Sequence, residues 1–378
     1  MKIYTDTIIE HTLFIPHDGQ LIIKDCTIKI ARDAHIICLG KFEASNVHFE
    51  PIEDAFGAIA IMSYNKESKI SQCTFKKGCG IPLKHFQKLP IFWEICSLED
   101  WEYNDDEESR RTILETKIAG ALICVDTKID KCTFEDCQSE DDGGSLYAIS
   151  SRIVNSKFSN SYSQGDCGAI CGKSSEIGEC SFVDCKADDS GGAIGRENIE
   201  IYNCLFIRCH AKESGGAIFG SEKGRIYDSK FINCTALSGG AIDGAGDVNH
   251  CMFKSCSAKK SGGAMVLDTR LAYIRDSKFI NCYVTNDDKS SDVISLCFSE
   301  TLIMDCIFKN TKESCKVFIY GCSYKVIGSK FSSKFKLPSP IDGCCEIKIM
   351  ASSYNGEDLV YKNMLGKETL GEKEWVQK

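Results

Sequence analysis

A tandem repeat restricts the fold of this chain more than any other feature of its sequence. From about residue 130, a motif of the form C/S-x-F-x-x-C-x-A-x-x-S-G-G-A-I returns about every 24 residues. Its phenylalanines are Phe134, Phe158, Phe182, Phe206, Phe231, Phe253 and Phe279. A period of this length is typical of solenoids, in which each repeat buries its apolar side chains against its neighbours.

Apolar residues alternate within each repeat, as in residues 201–206, which is the period of a β-strand. The glycines of the S-G-G-A segment supply the backbone angles of a corner. Each repeat is therefore predicted to form about three short strands, stacked on the next repeat at about 4.8 Å. The sequence predicts an all-β, right-handed parallel β-helix, a β-solenoid with coils of about 24 residues and atypical coils that cap both ends.

Phenylalanine and the residue two positions before it, such as Cys204 before Phe206, are expected to point inward because they share a strand face. The cysteine three positions after phenylalanine is expected to begin a second inward column. The chain has 24 cysteines and no C-x2-C pair, the usual signature of a structural zinc site. The interpretation is that the cysteines are small buried apolar residues; metal binding and disulfides are the alternatives.

The repeat resembles that of polymorphic outer-membrane proteins, which combines G-G-A-[ILV] with F-x-x-N. The glycine half matches at residues 191–194, 215–218 and 239–242, and the resemblance covers roughly residues 130–290. Cysteine stands in place of the asparagine at Cys185, Cys209 and Cys234. The resemblance implies a right-handed parallel β-helix and adhesion at a cell surface.

The rhythm of the repeats divides the chain into four segments. Residues 1–79 are predicted to form the N-terminal cap and the first coils, residues 118–336 the regular coils, and residues 337–378 a C-terminal cap and tail. Residues 80–117 lack the glycine corner and are predicted to be an aromatic-rich insertion. Because insertions in solenoids often form the binding face, the predicted binding residues are Phe92, Trp93, Trp101 and Tyr103. Packing of these residues onto the coil beneath is the alternative.

The candidates for catalysis are Asp184 and Arg208, which follow their phenylalanines by two residues on successive coils. They are expected to lie side by side on an exposed sheet and to form an ion pair. An enzyme that acts on polysaccharide would need acidic and basic residues on adjacent coils of one such sheet. A solvated surface salt bridge is the alternative. The sequence predicts no metal site and no cofactor.

Forty-five basic and 54 acidic residues give a net charge of −9, which argues against a nucleic-acid partner. No apolar run is long enough to span a bilayer, and the first residues lack the pattern of a signal peptide. The prediction is a cytoplasmic protein without membrane insertion; secretion by a non-classical route is the alternative. The leading interpretation is a non-catalytic binding or scaffold protein that presents flat sheets and the insertion to a protein or glycan. A polysaccharide lyase or glycoside hydrolase and an adhesin-like surface protein are the other hypotheses.

Overall fold

The computed structural model of the protein describes residues 1–63, 67–89, 112–220, 224–269, 271–285, 292–309, 319–331, 347–354 and 357–363. Contacts between Cα atoms divide the chain into an N-terminal unit, Met1–Cys171, and a C-terminal unit, Gly172–Lys378. In each unit, strands pair in parallel with the equivalent strands of the next coil. The predicted fold class, an all-β parallel β-helix with coils of about 24 residues, is confirmed.

A regular coil contains three main strands and a fourth strand that is shorter in most coils, so equivalent strands form four rows. In the N-terminal unit, the first row contains Leu13–Ile15, Ile36–Cys38, Ile59–Met62, Leu122–Val125, Leu146–Ile149 and Ile170–Lys173, the last of which contains the division between the units. The second row contains Lys2–Ile3, Ser68–Ser71, Thr127–Asp130 and Arg152–Val154. The third row contains Thr7–Ile9, Thr74–Lys76, Thr133–Glu135 and Lys157–Ser159. Gln20–Ile30 and Lys41–Pro51 each run through the second and third rows, and the fourth row contains Gln138–Ser139 and Tyr162–Ser163.

The C-terminal unit continues the same pattern. Its first row contains Ile194–Glu197, Ile218–Gly220, Ile242–Asp243 and Met265–Leu267. The second row contains Glu176–Gly178, Glu200–Tyr202, Arg225–Tyr227, Asp247–Asn249 and Leu271–Arg275. The third row contains Ser181–Val183, Leu205–Ile207, Lys230–Ile232, Met252–Lys254, Lys278–Ile280, Ile307–Lys309 and Lys330–Phe331. The fourth row contains Lys186–Ala187, His210–Ala211, Thr235–Ser238, Ser257–Ser261 and Tyr283–Val284. Ile294–Met304 and Ile319–Ile327 span the first and second rows, and Ile347–Tyr354 pairs in antiparallel with Glu357–Asn363.

A column of stacked phenylalanine rings fills the core of each unit. In the C-terminal unit the ring centroids of Phe182 and Phe206, and of Phe206 and Phe231, are 4.8 Å apart, with interplanar angles of 7° and 2°. Phe49, Phe75, Phe134 and Phe158 form the column of the N-terminal unit at 4.7–4.8 Å. The predicted inward position of these residues is confirmed.

Cysteine and serine share the inward column that lies two residues before each phenylalanine. Where serine follows cysteine along the stack, its hydroxyl accepts a hydrogen bond from the cysteine backbone N–H, as from Cys204 to Ser229 and from Cys251 to Ser277, both at 3.1 Å. Cys132, Cys180, Cys204 and Cys251 of this column are free and buried, so the predicted burial of these side chains is confirmed. The small side chain is required because the column lies directly beside the stacked rings.

The corners of the coils depend on residues with positive φ. Gly191 and Gly215 have φ of 69° and 62°, as the S-G-G-A segment predicts. The third-row strands end at a single residue that is also left-handed, including Asp184 at 57° and Arg208 at 53°. This corrects the expectation that Asp184 and Arg208 lie on an exposed sheet, because one left-handed residue turns the chain and places both side chains at a corner.

The chain has more residues between the third-row strand Thr74–Lys76 and the first-row strand Leu122–Val125 than a regular coil has there, and the structure describes 77–89 and 112–121 of them. Phe75 pairs directly with Phe134, and Ile59 with Leu122, so these two coils are neighbours in the stack. Near the points where the chain departs and returns, Ile81–Pro82 pairs in antiparallel with Lys117–Ile118. A 3-10 turn at Leu83–His85 and a helical turn at residues 112–115 complete the described part of this segment.

Replacing Phe206 with alanine is expected to lower the free energy of unfolding by roughly 3–5 kcal/mol, because it leaves a cavity between two stacked rings. The matched control is Ile207→Ala, which removes a half-buried side chain from the outer surface of the same strand. Urea unfolding followed by circular dichroism measures both. Equal losses for the two variants would contradict a core built on the ring column.

Candidate functional site

The described ends of the insertion, residues 80–89 and 112–117, pack on the outer surface of the first row of the N-terminal unit. Met62, Ile123 and Tyr147 of this row point outward and are at most 2% exposed, and they belong to one buried apolar cluster with Leu83 and Phe86 of the insertion. This cluster of buried apolar residues also contains Ile37, Ala58, Ala60, Ile81, Ile118, Ala119, Val125, Cys167 and Cys171. The described ends of the insertion are therefore fixed to the sheet by apolar burial.

Two histidines meet where the insertion covers this row. His35 precedes the first-row strand Ile36–Cys38 and is 2% exposed, and its ring centroid lies 5.1 Å from that of His85 in an edge-to-face arrangement. A Cβ atom on Gly57 would lie 2.5 Å from His35 Nδ1, so only glycine allows the ring to pack there. His35 Nδ1 is buried and has no hydrogen-bond partner among the described residues.

The electrostatic surroundings keep this histidine pair neutral. Burial, and then the charges of His85 and Lys117, lower the pKa of His35 to about 4. Burial also lowers the pKa of His85. Two ion pairs lie at the rim: Lys84 with Glu115 at 2.7 Å, and Lys117 with Asp33 at 3.9 Å. Two neutral rings fit together at pH 7, whereas a proton on either would place a charge in an apolar contact.

Acid is expected to destabilise the protein through His35. The unfolded chain binds a proton at this residue below pH of about 6.5, whereas the folded protein does so only near pH 4. The unfolded state binds more protons in that interval, so the free energy of unfolding falls as the pH falls through it, by up to about 3 kcal/mol. Urea unfolding at pH 7 and pH 5 should show a smaller difference for His35→Leu than for the unmodified protein. His11→Leu, at an exposed histidine, should leave the difference unchanged.

Asp184 and Arg208 form the predicted ion pair, at a corner of the C-terminal unit. The Nε and one terminal nitrogen of Arg208 donate to the two carboxylate oxygens of Asp184, each at 2.7 Å. These hydrogen bonds lower the pKa of Asp184, and they raise that of Arg208. The side chain of Asp184 is 36% exposed and that of Arg208 is 55% exposed, so water screens the pair.

This geometry limits what Asp184 can do chemically. A general acid at neutral pH needs a raised pKa, and a nucleophilic carboxylate needs a free oxygen directed at the substrate. Asp184 has a lowered pKa and both oxygens bound. On the third-row corner of the N-terminal unit, Asp136 is likewise engaged, since Asn160 Nδ2 donates to it at 3.0 Å.

Replacing Asp184 with asparagine is expected to lower the free energy of unfolding by less than about 1 kcal/mol at low ionic strength. Since the folded-state pKa is depressed, this contribution is present above the unfolded pKa of about 3.9 and is lost as the pH falls through the folded pKa. Urea unfolding in about 1 M NaCl should remove most of the difference between the variants. A difference that is independent of salt and pH would contradict a screened corner ion pair.

Burial makes several of the described cysteines poor nucleophiles. In the C-terminal unit, five of them follow one another in the column three residues after phenylalanine: Cys185, Cys209, Cys234, Cys256 and Cys282. Burial raises the pKa of Cys209, Cys234 and Cys282 well above the ordinary value, and that of Cys137 in the N-terminal unit to about 12. Protonated, enclosed thiols are poor nucleophiles.

The part of the chain that the structure describes contains no group of three or more His, Cys, Asp or Glu side chains placed to hold a metal ion. Within the same ranges, no helix has the length and apolar character needed to cross a membrane. The predicted binding residues Phe92, Trp93, Trp101 and Tyr103 lie outside the described residues.

Comparisons with known proteins identify similar folds only. No family model matches the sequence, and no curated protein matches it. A surface adhesin of Streptococcus pneumoniae, PfbA, is similar with a TM-score of 0.41 and 10% identity over 89% of this chain and 83% of that one. A PL6 alginate lyase is similar with a TM-score of 0.39 and 10% identity, over 91% of this chain and 83% of that one. An exopolygalacturonase from Thermotoga maritima has a TM-score of 0.33 and 10% identity, over 95% of this chain and 86% of that one. At such identities and scores, the activities of these proteins do not transfer to this chain.

Proposed function

We propose that this protein is a non-catalytic β-solenoid that acts as a binding or scaffold module for a protein or glycan. The observation that carries the proposal is the attachment of the insertion. Both of its described ends lie on the outer surface of the first row, held by the antiparallel pair Ile81–Pro82 and Lys117–Ile118 and by the buried side chain of Phe86. A segment fixed at both ends on a rigid sheet loses less conformational entropy when it binds a partner.

The state of the charged candidates supports a binding role over an enzymatic one. Asp184 is bound at both oxygens by Arg208, and its lowered pKa is the opposite of what a proton donor at neutral pH requires. The contact with a partner is assigned to the four aromatic residues of the insertion that the sequence predicts: Phe92, Trp93, Trp101 and Tyr103. The cytoplasmic location and the relation to outer-membrane repeats stay predictions.

A capture experiment with matched variants tests this function. The tagged full chain is incubated with an extract of the source cells, and retained proteins and glycans are identified by mass spectrometry. In one variant a Gly/Ser linker of equal length replaces residues 90–111; in the control, serine replaces Asp184 and Arg208. The specific partner should be lost with the linker variant and retained with the control.

Two results would overturn the proposal. The first is equal recovery of the partner with the intact chain and the linker variant. The second is shortening of a polysaccharide by the intact chain that disappears in the Asp184/Arg208 variant, since this would establish an enzyme.

A further inference from the structure

The third row of the C-terminal unit carries a line of lysines on its outer surface. The residues on either side of each inward phenylalanine point outward, and on five successive coils one of the two is an exposed lysine. These lysines are Lys230, Lys254, Lys278, Lys309 and Lys330. No acidic residue occupies an outward position on these five strands. We call this surface the lysine face.

The lysines alternate between the two outward columns. Lys230 pairs with Met252 in one column, and Ile232 with Lys254 in the other. On the next coil lysine returns to the first column, because Lys278 pairs with Met252 and Ile280 pairs with Lys254. Each lysine therefore has an apolar side chain directly opposite, which avoids repulsion between like charges. From the strand geometry, the Cα atoms of successive lysines are roughly 8 Å apart.

The apolar members of the lysine face are half-buried: Ile232, Met252, Ile280 and Ile307. The surface thus combines one positive charge on each of the five coils with one apolar side chain on each of the first four, in a strip only one strand wide. The repeat along the strip is the separation of the coils, 4.8–4.9 Å between ring centroids.

The charges of the lysine face are not neutralised by the protein that the structure describes. None of its five lysines forms an ion pair with a described residue, whereas some lysines elsewhere do, such as Lys76 with Glu135 at 3.9 Å and Lys212 with Asp188 at 2.8 Å. A line of uncompensated lysines is unexpected in a chain with a net charge of −9. Charge complementarity therefore points to an anionic ligand.

We propose that the lysine face binds a linear acidic polysaccharide that lies along the stack of coils. The lysine face belongs to the C-terminal unit and the insertion to the N-terminal unit, so this assignment adds a second binding surface and goes beyond the proposed function. Carboxylate or sulfate groups would accept hydrogen bonds from the lysine Nζ atoms, one per coil. The apolar faces of the sugar rings would lie on side chains such as Ile232 and Ile280. The coil separation is close to the length of one sugar residue in an extended chain, so charges on the two partners can stay in step.

The borders of the strip favour a narrow polymer over other anions. Exposed acids at the preceding corner, Asp228, Asp276 and Asp305, run along one side. An anionic membrane surface, which is broad and flat, would be brought against these carboxylates as well as the lysines. Single-stranded nucleic acid is bound largely by stacking of its bases on aromatic side chains, and the lysine face has none.

Binding to defined polymers tests the proposal. The full chain is titrated with polygalacturonate, heparin, dextran, single-stranded DNA and vesicles of phosphatidylcholine and phosphatidylserine, at two salt concentrations. One variant replaces Lys230, Lys254, Lys278 and Lys309 with serine. The control variant removes the same number of charges elsewhere on the unit, by replacing Lys186, Lys212, Lys259 and Lys260 with serine. Three of these lysines lie in fourth-row strands, and Lys212 directly follows the fourth-row strand His210–Ala211. A third variant replaces the first four lysines with arginine, and circular dichroism establishes that each variant is folded.

The expected result is salt-dependent binding of polygalacturonate, heparin or both, weakened about tenfold or more by serine on the lysine face and retained in the control and arginine variants. Preference for polygalacturonate would identify carboxylates as the recognised group, and preference for heparin would identify sulfates. No binding, equal losses in the two serine variants, or tighter binding of DNA or vesicles would overturn the proposal. The length of the polysaccharide after incubation is a separate readout: shortening would refute the non-catalytic function while leaving the lysine face as the binding surface.

Discussion

Backbone hydrogen bonds between successive coils hold equivalent residues in register, and every other feature of this molecule depends on that register. Phe206 lies over Phe231 with nearly parallel rings because their strands pair residue by residue. The same register brings the hydroxyl of Ser229 to the backbone N–H of Cys204. Outside the core, it turns a sequence period into regularly spaced surface groups. A slip by one residue would turn the phenylalanines towards solvent, so the core and the surface are specified together.

The insertion shows how a local cover changes the chemistry of one surface. Outward side chains of a solenoid normally meet water, yet Ile123 and Tyr147 are buried because the ends of the insertion lie over them. His35 precedes the equivalent outward residue Ile37 by two positions, and its pKa is lowered because burial removes water from the ring. The contact that positions the proposed binding segment is therefore also sensitive to acid.

The sequence predicts the core of this fold well because phenylalanine, cysteine and glycine recur at fixed intervals, and packing explains each of them. It does not place Asp184 and Arg208 correctly, because strand alternation continues through both positions and arginine, unlike aspartate, is not typical of a left-handed corner. The contact between His35 and His85 lies beyond sequence reasoning, since it joins a coil without the repeat motif to the insertion. The lysines are visible in the sequence, but that they form no ion pair with a described residue is a property of the folded chain.

The left-handed corners have a consequence for how such a chain can change its length. In the C-terminal unit, a corner after the third row is made by one residue, and neighbouring coils use residues as different as Arg208, Asn233 and Ser255 there. Since the backbone geometry is the same in each, a coil can be duplicated or deleted as a whole without altering the joints on either side. Evolution can thus add or remove whole coils within this unit, and tandem duplication of gene segments supplies the material for it.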